Sequence, residues 1–461
     1  MTTKTQSSPQ AGEPLITPPV TLGKLPSEPV DKLTKPFTQF LRIEAAASAV
    51  LLICAVLALV FSNTALSARF LSLWEIHAGI RLDHFELLRS LKQWINDGLM
   101  TLFFFVGALE LKREIVLGEL SNPRIATLSL AAALGGMIVP AILFYVLQDS
   151  GAGSHGWGAV MATDTALVIG CLAILGSRIP QSLRLFLLSL AIFDDIGAIL
   201  VVAFGYGGAI HWSALCWVAL GILIVAGIAR MGIRSVPIYF LLGGGIWFAL
   251  DASGIHPTVA GLILGLMTPA RSWVSDNRLR AILGRVMAYP RGDHWSGDTP
   301  DRQDLQRAAV AAREALSPVE RLEIVLHPWV AFTIMPLFAL ANAGLRISPA
   351  DAHKTVFMAI FLGLFLGKPI GVVLFSFIAV KLRLAERPPE LSWSLLAAGA
   401  LLTGIGFTMA LLIAALAFGP GLLNPAKLGI LAASAASATA GLIALAWLTS
   451  PRRRKVDLAL A

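Results

Sequence analysis

The sequence predicts an all-α polytopic membrane protein with twelve transmembrane helices, and its composition is the first evidence. Of the 461 residues, 56% are hydrophobic and only 14% are charged, whereas soluble domains contain roughly 25% charged residues. A soluble protein of this composition would expose far too much apolar surface. The net charge of +8 has to be interpreted through its placement along the chain. We therefore expect the lipid bilayer, and no nucleic acid, as a partner.

Apolar segments of about 20 residues, the length that a bilayer requires, recur along the chain. The predicted spans are 43–64, 94–116, 125–147, 156–176, 183–204, 212–229, 235–251, 256–270, 323–343, 356–380, 391–418 and 427–449. Residues 1–40 are polar and lack the apolar core of a signal peptide, which predicts a disordered cytoplasmic N-terminal tail. Residues 41–450 are the predicted membrane domain, and 451–461 are a basic cytoplasmic C-terminal tail.

The orientation follows from the distribution of basic residues between the loops. Loops after even-numbered spans are rich in Lys and Arg, with a run of arginines between 271 and 321. The loops near 149–155, 205–211 and 251–256 contain no Lys or Arg. Positively charged loops stay in the cytoplasm. The pattern therefore predicts an even number of spans with both termini in the cytoplasm.

Two segments outside the spans are unusual. The segment "FLSLWEIHAGIRLDHFEL" (70–87) is too polar to span, and Ala78-Gly79 lies between short alternating runs, which predicts a periplasmic β-hairpin. An irregular loop is the alternative. The segment 271–322 is a long cytoplasmic loop. Within it, "DRQDLQRAAVAAREALSPVERLE" has helical spacing and many charges, which is typical of a surface helix.

Three spans carry a charge near their midpoint: Asp164, the pair Asp194 and Asp195, and Lys368. Insertion scales put the free-energy cost of a charged residue at the centre of a membrane helix at roughly 2.5–3.5 kcal/mol. Charges in this position usually face a water-filled cavity or one another. A buried ion pair that only locks helices together is the alternative, but three acids and one base leave an acidic excess.

Two spans are weakened in the middle. In "MATDTALVIG", Thr163, Asp164 and Thr165 form a polar cluster, and hydroxyls can satisfy backbone groups where a helix is interrupted. In "LLTGIGFTMA", Thr403, Gly404 and Gly406 make an unbroken helix less favourable, although close helix packing would also explain the glycines. These are spans 4 and 11. Each is the middle span of a group of three, 3–5 and 10–12, and the two groups start from opposite sides of the membrane. Such pairs are typical of transporters with a site at the midplane.

Seven segments resemble the signature segments of the NhaA family of sodium/proton antiporters, a family that is itself an established example of inverted repeats. The similarity extends from about 40 to 450 and keeps the family's order. The segments are "LFFFVGALELKREI", "ATDTAL", "AIFDDIGAI", "SGIHPTVAGLILG", "LEIVLHPWVAFTIMPLFALANAG", "LGKPIG" and "TGIGFTM". The resemblance implies twelve spans with inverted-topology repeats, in which spans 4 and 11 are discontinuous and cross each other.

The resemblance also implies an activity and its residues. The activity is electrogenic export of cytoplasmic sodium or lithium in exchange for external protons, activated at alkaline pH, in a bacterial inner membrane. It implies no cofactor, no metal beyond the transported sodium, and a homodimer formed through the 70–87 hairpin. The implied ion-binding residues are Thr163, Asp164, Asp194 and Asp195. Lys368 is the implied charge-compensating or proton-carrying lysine. The residues implied in the pH response are Glu110, Glu114, Glu323 and His327.

The two adjacent aspartates suit such an exchange chemically. Sodium is a hard cation that prefers oxygen ligands, while burial and mutual repulsion raise the affinity of carboxylates for protons. The same oxygens can therefore hold either ion, and competition for one site produces exchange if the empty site does not readily switch sides. Neighbouring residues on a helix point about 100° apart. We expect Asp195 to face the cavity and Asp194 to meet Lys368.

Other functions fit the sequence less well. Another cation/proton-coupled transporter of the same fold is the main alternative, because the charges indicate a cation and a proton more firmly than sodium. An intramembrane aspartyl protease would be expected to carry a Gly-x-Gly-Asp motif, which the sequence lacks. A retinal-type photoreceptor would have fewer spans. The chain is not predicted to be an enzyme. For His327, the alternative to a pH role is that it caps a helix before Pro328.

Overall fold

The computed structural model describes residues 44–82, 85–116, 123–148, 153–231, 236–270, 274–288, 300–352 and 354–450. The predicted tails at 1–40 and 451–461 lie outside these residues. The helices are α1 (Glu44–Ser62), α2 (Ser67–Trp74), α3 (Leu91–Gln93), α4 (Met100–Val116), α5 (Pro123–Leu147), α6 (Thr165–Leu175), α7 (Gln181–Gly205), α8 (Trp212–Arg230), α9 (Val236–Ser253), α10 (Val259–Met267), α11 (Asp276–Ala288), α12 (Pro300–Ala315), α13 (Pro318–Trp329), α14 (Met335–Asn342), α15 (Pro349–Ala352), α16 (Thr355–Leu362), α17 (Lys368–Lys381), α18 (Trp393–Thr403), α19 (Phe407–Ala417) and α20 (Pro420–Leu448). The strands are β1 (His77–Leu82) and β2 (Phe85–Ser90).

The described helices give a multi-pass membrane protein. Nine of them, some with their short 3₁₀ or π continuations, are long and apolar enough to cross a membrane, and α18 with α19 makes a tenth span, bent by 47°. Two predicted spans fall short of that length and composition. In 94–116 the α-helix has 17 residues, and its last two turns carry Glu110, Lys112, Arg113 and Glu114. In 256–270 it has nine residues.

The hairpin exists, but its predicted turn is wrong. β1 and β2 pair antiparallel with His77 opposite Ser90 and Leu82 opposite Phe85. Ala78-Gly79 therefore lies within β1, and the connection falls at 83–84, outside the described residues. Residues 70–74 belong to helix α2. The sequence alternates on both sides of Ala78-Gly79, so it fits either a turn at this dipeptide or a strand that runs through it. In the structure the strand runs through it as far as Leu82.

In the described part of the loop 271–322 lie α11, α12 and the start of α13, and the predicted surface helix is split between α12 and α13. α12 ends at Ala315, and Ser317 starts α13 with a capping box. The Ser317 hydroxyl accepts the Glu320 amide at 3.2 Å, and Glu320 Oε2 accepts the Ser317 amide at 3.0 Å. Both donors at this helix start are thereby satisfied. The ninth span consequently begins at Pro318, five residues before its predicted start.

Among the residues that the structure describes, three π-helical turns interrupt the membrane helices, at Trp94–Leu99, Val330–Ile334 and Gly363–Gly367. The last of these ends directly before Lys368-Pro369. Proline lacks an N–H and its ring clashes with the carbonyl four residues earlier, so a wider turn relieves the helix at this point. The widened turn sets the direction in which the Lys368 side chain leaves α17.

The helices α5 and α17 cross with their backbones in contact. A Cβ placed on Gly135 would overlap the Gly371 carbonyl oxygen, and a Cβ on Gly371 would overlap that of Gly135. Both glycines are therefore required for the close approach, as at other small-residue crossings in membranes. This crossing brings Lys368, at the start of α17, against the same bundle interior that α5 and α7 share.

Candidate ion-binding site

Span 4 is broken, and Asp164 lies at the break. A 3₁₀ helix, Ser154–Val160, precedes it and α6 follows it. The Asp164 side chain caps α6, with Oδ1 accepting the Leu167 amide at 3.1 Å. An acidic N-cap satisfies an otherwise unpaired amide and complements the positive end of the helix dipole.

The same carboxylate also caps the second half of span 11. Asp164 Oδ2 accepts the Thr408 amide at 3.0 Å and the Thr408 hydroxyl at 2.5 Å, at the start of α19. The Asp164 amide in turn donates to Ile405 O at 2.6 Å. Asp164 is 1% exposed. One buried carboxylate therefore joins the N-terminal ends of α6 and α19, the second halves of the two broken spans.

Thr163 connects the break to Asp194. Its Oγ1 lies 2.6 Å from Asp194 Oδ2 and 3.1 Å from Thr403 O, the last carbonyl of α18. A hydroxyl has one proton, so Thr163 can donate to one of these oxygens at a time. The side chain thus lies between an acidic group on α7 and the carboxyl end of a broken helix.

Lys368 is fully buried and has two partners. Its Nζ lies 3.0 Å from Asp194 Oδ2 and donates to Met161 O, next to the C-terminal end of the 3₁₀ helix Ser154–Val160. A cation at this place complements the negative end of that helix. Asp164 therefore meets the positive ends of α6 and α19, whereas Lys368 meets the negative end of the first half of span 4.

Asp194 and Asp195 differ sharply in their surroundings, although they are adjacent on α7. Asp194 is fully buried, and its Oδ2 is engaged by Lys368 and Thr163. Asp195 is partly exposed, and the Thr165 hydroxyl donates to its Oδ2 at 3.2 Å. Oδ1 of each aspartate is buried and makes no hydrogen bond within the described residues. Such oxygens require an ion, a proton or a water molecule.

Asp195 lines a narrow cavity and Asp194 does not. The cavity has a volume of about 10 Å³, and Glu110 of α4 lines it together with apolar side chains of α4 and α7. That volume is close to the space one water molecule needs. Within the described residues no three His, Cys, Asp or Glu side chains converge on a metal-sized site. Asp195 is thus the mid-span carboxylate available to a small solute.

Sequence reasoning missed Thr408 as part of the site. In its motif, "TGIGFTM", only Thr403 and the two glycines were singled out, yet Thr408 gives Asp164 two of its hydrogen bonds. The two residues are 244 positions apart in the chain. A hydroxyl placed directly after a predicted helix break is the signal that could have indicated a partner for a buried acid.

The four residues implied in the pH response lie together around Arg113, in the last turn of α4. Arg113 pairs with Glu323 of α13, and its Nη2 lies 3.2 Å from Glu114 Oε1. His327 Nε2 lies 3.7 Å from Glu110 Oε1, the carboxylate that also lines the Asp195 cavity. The cluster therefore extends from the end of the helix bundle to the cavity.

The capping alternative for His327 is wrong. The helix does not end before Pro328 but continues through Trp329 and a π turn into α14. The π turn Val330–Ile334 accommodates the loss of a donor at Pro328 and the next proline, Pro336, without ending the helix. His327 is a mid-helix residue.

A second charged cluster lies at the opposite end of the span that contains α4, and sequence reasoning missed it as well. Arg89 of β2 pairs with Asp97 and with Asp251 at the end of α9. Its guanidinium lies 5.1 Å from the centre of the Trp247 ring, and His256 Nε2 lies 3.6 Å from Asp97 Oδ1. The hairpin is thereby attached to two membrane helices by charge pairs. The only sequence signal was an arginine beside an apolar span.

Comparison with known proteins places this arrangement among antiporters. The family described as Na+/H+ antiporter 1 matches residues 38–445. The protein called Na(+)/H(+) antiporter NhaA of Rhizobium meliloti is 65% identical over 94% of this chain and 99% of its own length. Na(+)/H(+) antiporter NhaA 2 of Acidiphilium cryptum is 59% identical over 92% of this chain and 94% of its own length.

A relative at lower identity covers the same part of the chain. Na(+)/H(+) antiporter NhaA 2 of Vibrio vulnificus is 50% identical over 95% of this chain and 98% of its own length. These relatives are therefore similar to the chain over nearly their whole lengths.

Proposed function

This chain belongs to the Na+/H+ antiporter 1 family, and we propose that it exports cytoplasmic sodium or lithium in exchange for external protons. Asp195 carries the proposal. It is a carboxylate near the middle of a membrane helix, it lines a cavity, and its Oδ1 makes no hydrogen bond within the described residues. Sodium and protons would compete for its oxygens, with Asp164 and Thr163 completing the site when the surrounding helices move.

The test replaces Asp195 in protein reconstituted into vesicles with a trapped pH dye. We expect Asp195→Asn to abolish the proton release that sodium or lithium triggers, because an amide cannot exchange a proton for a cation. Asp351→Asn, which changes a carboxylate on α15 outside the site, is the matched control and should remain active. Near-normal sodium-driven proton release by Asp195→Asn would contradict the assignment.

The same assay distinguishes a sodium/proton antiporter from the main alternative, a transporter of the same fold that exchanges another cation. A transporter of the same fold with another cation would respond to potassium, for example, with little response to sodium or lithium. The proposed antiporter responds to sodium and lithium in the unmodified protein. The choice of cation is therefore decided by the order of responses among the three salts.

Exchange is proposed to move net charge, and Lys368 has two open roles in it. The pair with Asp194 at 3.0 Å could hold a proton that sodium releases on arriving at Asp195, or it could only stabilise the broken helices. A Lys368→Gln protein that is still driven by membrane potential would exclude the lysine as an obligatory proton carrier. Electroneutral exchange by that variant would support carriage.

Activity is proposed to rise with cytoplasmic pH, since protons compete with sodium at Asp195. The Arg113 cluster adds a second control, because Glu110 belongs to both the cluster and the cavity. We expect Glu323→Gln, which imitates the protonated acid beside Arg113, to move the pH of half-maximal activity upward by about one unit, a common size for environmental shifts.

The pH profile is measured with the same vesicles across a pH series. His327→Ala is tested beside Glu323→Gln, and Glu390→Gln, an exposed acid in the loop before α18, is the control. Unmoved profiles in both cluster variants would mean that competition at the core aspartates sets the pH response alone.

The finer architecture belongs to the same proposal. We propose twelve spans, with α4 and α10 completing the ten that satisfy the length criterion, and inverted repeats centred on the two broken spans. Both termini and the Arg113 cluster would face the cytoplasm of a bacterial inner membrane, following the basic loops. A homodimer would form through the hairpin, which the structure gives as β1 and β2.

A further inference from the structure

A wide apolar groove lies on the outer surface of the bundle, away from the ion site. Its volume is about 800 Å³, within the range of about 300–1,000 Å³ for small-molecule sites. Helices α17, α18 and α20 form its walls, with Leu374, Phe377, Ala397 and Trp447 among the lining residues. Leu374, Phe377 and Trp447 are 45%, 48% and 63% exposed. An apolar concavity of this size, open at the surface of a membrane domain, faces lipid.

One end of the groove is marked by three helix termini. Phe377 lies one turn before the last residue of α17, Trp393 is the first residue of α18, and Leu448 is the last residue of α20. Because all three ends line one groove, this end lies at a membrane surface. Aromatic rings at such a level are typical of the headgroup region.

Two cations lie over the aromatic walls at this end. Lys381 Nζ lies 6.0 Å from the centre of the Phe377 ring, and the Arg387 guanidinium lies 5.4 Å from that of Trp393. The two rings themselves meet edge to face, with centres 5.6 Å apart. The groove therefore combines an apolar floor with a positively charged rim. Glu386 and Glu390 lie in the same loop, so its three basic residues, Lys381, Arg383 and Arg387, exceed its acids by one.

The loop between Lys381 and Arg387 exposes both apolar and basic side chains, as a segment at the membrane–water interface does. Leu382 and Leu384 are 63% and 60% exposed, and between them Arg383 has a φ of 59°. A left-handed conformation normally favours glycine at a helix end. Here a third basic side chain takes that position between two exposed leucines, as expected of a loop at the headgroup layer. After Leu448, the sequence continues to Arg452, Arg453, Arg454 and Lys455, and basic clusters directly after a membrane helix favour anionic lipids.

We propose that this groove binds one anionic phospholipid, with an acyl chain along Leu374, Phe377 and Trp447 and the phosphate at Lys381 and Arg387. The bound lipid would touch Pro369 and Ile370, which line the groove and directly follow Lys368. Lipid at this site would therefore contact the helix that carries the buried lysine.

Native mass spectrometry of the full-length protein tests the site with two probes of equal chain length, phosphatidylglycerol and phosphatidylcholine. We expect the unmodified protein to retain phosphatidylglycerol preferentially. The double variant Lys381→Gln, Arg387→Gln should weaken that retention by about 25-fold, since each basic residue near an anionic headgroup contributes roughly a factor of five. Arg230→Gln, an exposed arginine at the end of α8, should leave it unchanged.

A second variant tests the groove independently of charge. Ala397→Phe fills the floor and should lower retention of both lipids, and Ala397→Leu gives the same result in milder form if the larger side chain prevents folding. Equal retention of the two lipids by the unmodified protein would overturn the proposal. A groove-filling variant that retains both lipids as well as the unmodified protein does would also overturn it. So would a groove-filling variant that loses a second copy of the chain and no lipid, because the groove would then be a contact between two copies. The readout is lipid mass, so it stands or falls separately from sodium transport.

Discussion

The break in span 4 and the break in span 11 interrupt a helix by opposite means. The first, between Val160 and Thr165, carries Thr163 and Asp164, and it is served by Lys368. The second, at Gly404–Gly406, carries no charged side chain. Its glycines instead allow close approach, since a Cβ on Gly404 would lie 2.6 Å from Leu364 O.

The first break therefore supplies polar groups to the second, which is also served by the Ser434 hydroxyl of α20, 3.2 Å from the Phe407 amide. The amide of Thr408 and the carbonyl of Thr403, on either side of the second break, are met by Asp164 and Thr163 of the first. The two interrupted helices are therefore not independent. A cation or proton that alters Asp164 changes the hydrogen bonding of both, which is the kind of coupling that a change of access across the membrane needs.

The largest effect is expected from removing the shared acceptor. Asp164→Ala would leave the Leu167 amide, the Thr408 amide and the Thr408 hydroxyl without their partner. Each buried unsatisfied donor costs about 1–3 kcal/mol, so the loss in unfolding free energy is about 3–9 kcal/mol when the costs add. Transport should fall to background. Thermal unfolding in detergent and vesicle transport are the measurements.

Ser392→Ala is the matched control for that prediction. Ser392 also caps a helix, accepting the Leu395 amide at 3.2 Å, but it serves α18 alone. Its removal should cost about 0.5–2 kcal/mol and leave exchange largely intact. Equal losses in the two variants would show that Asp164 acts as an ordinary cap and that the two breaks are not joined through it.

The second effect concerns the lysine that serves the first break. Lys368→Gln keeps a donor for Met161 O but leaves the fully buried Asp194 without a compensating cation. Breaking a buried pair in this way costs about 3–5 kcal/mol. Adding Asp194→Asn removes the uncompensated charge and should restore most of the lost stability. A double variant no more stable than Lys368→Gln alone would mean that the lysine stabilises through packing and its carbonyl contact only.

The contrast between the breaks also explains what the sequence could predict. Asp164, Asp194, Asp195 and Lys368 were identifiable because a charge in an apolar span is costly wherever the chain folds. Thr408 was not, because its role depends on a contact with a residue 244 positions away. The hairpin was predicted from alternation and turn residues, but alternation alone left the turn position open, and it was placed wrongly. The π turn before Lys368 depends on packing around Pro369 and has no simple periodic signal.

The smallest effect is expected at the second break, where the requirement is for space. Gly404→Ala adds a Cβ that meets the Leu364 carbonyl at 2.6 Å and overlaps the Ser437 hydroxyl. Backbone cannot yield as a side chain can, so we expect a loss of about 1–3 kcal/mol, the usual cost of overpacking. Exchange should slow but continue, because every polar group at the site is retained. Gly245→Ala is the control, since that glycine lies inside α9 with no atom within 4 Å of the added Cβ, and alanine should there be neutral or slightly stabilising. If Gly404→Ala is as well tolerated as Gly245→Ala, the second break is held open by Asp164 alone and its glycines are not needed for the close approach.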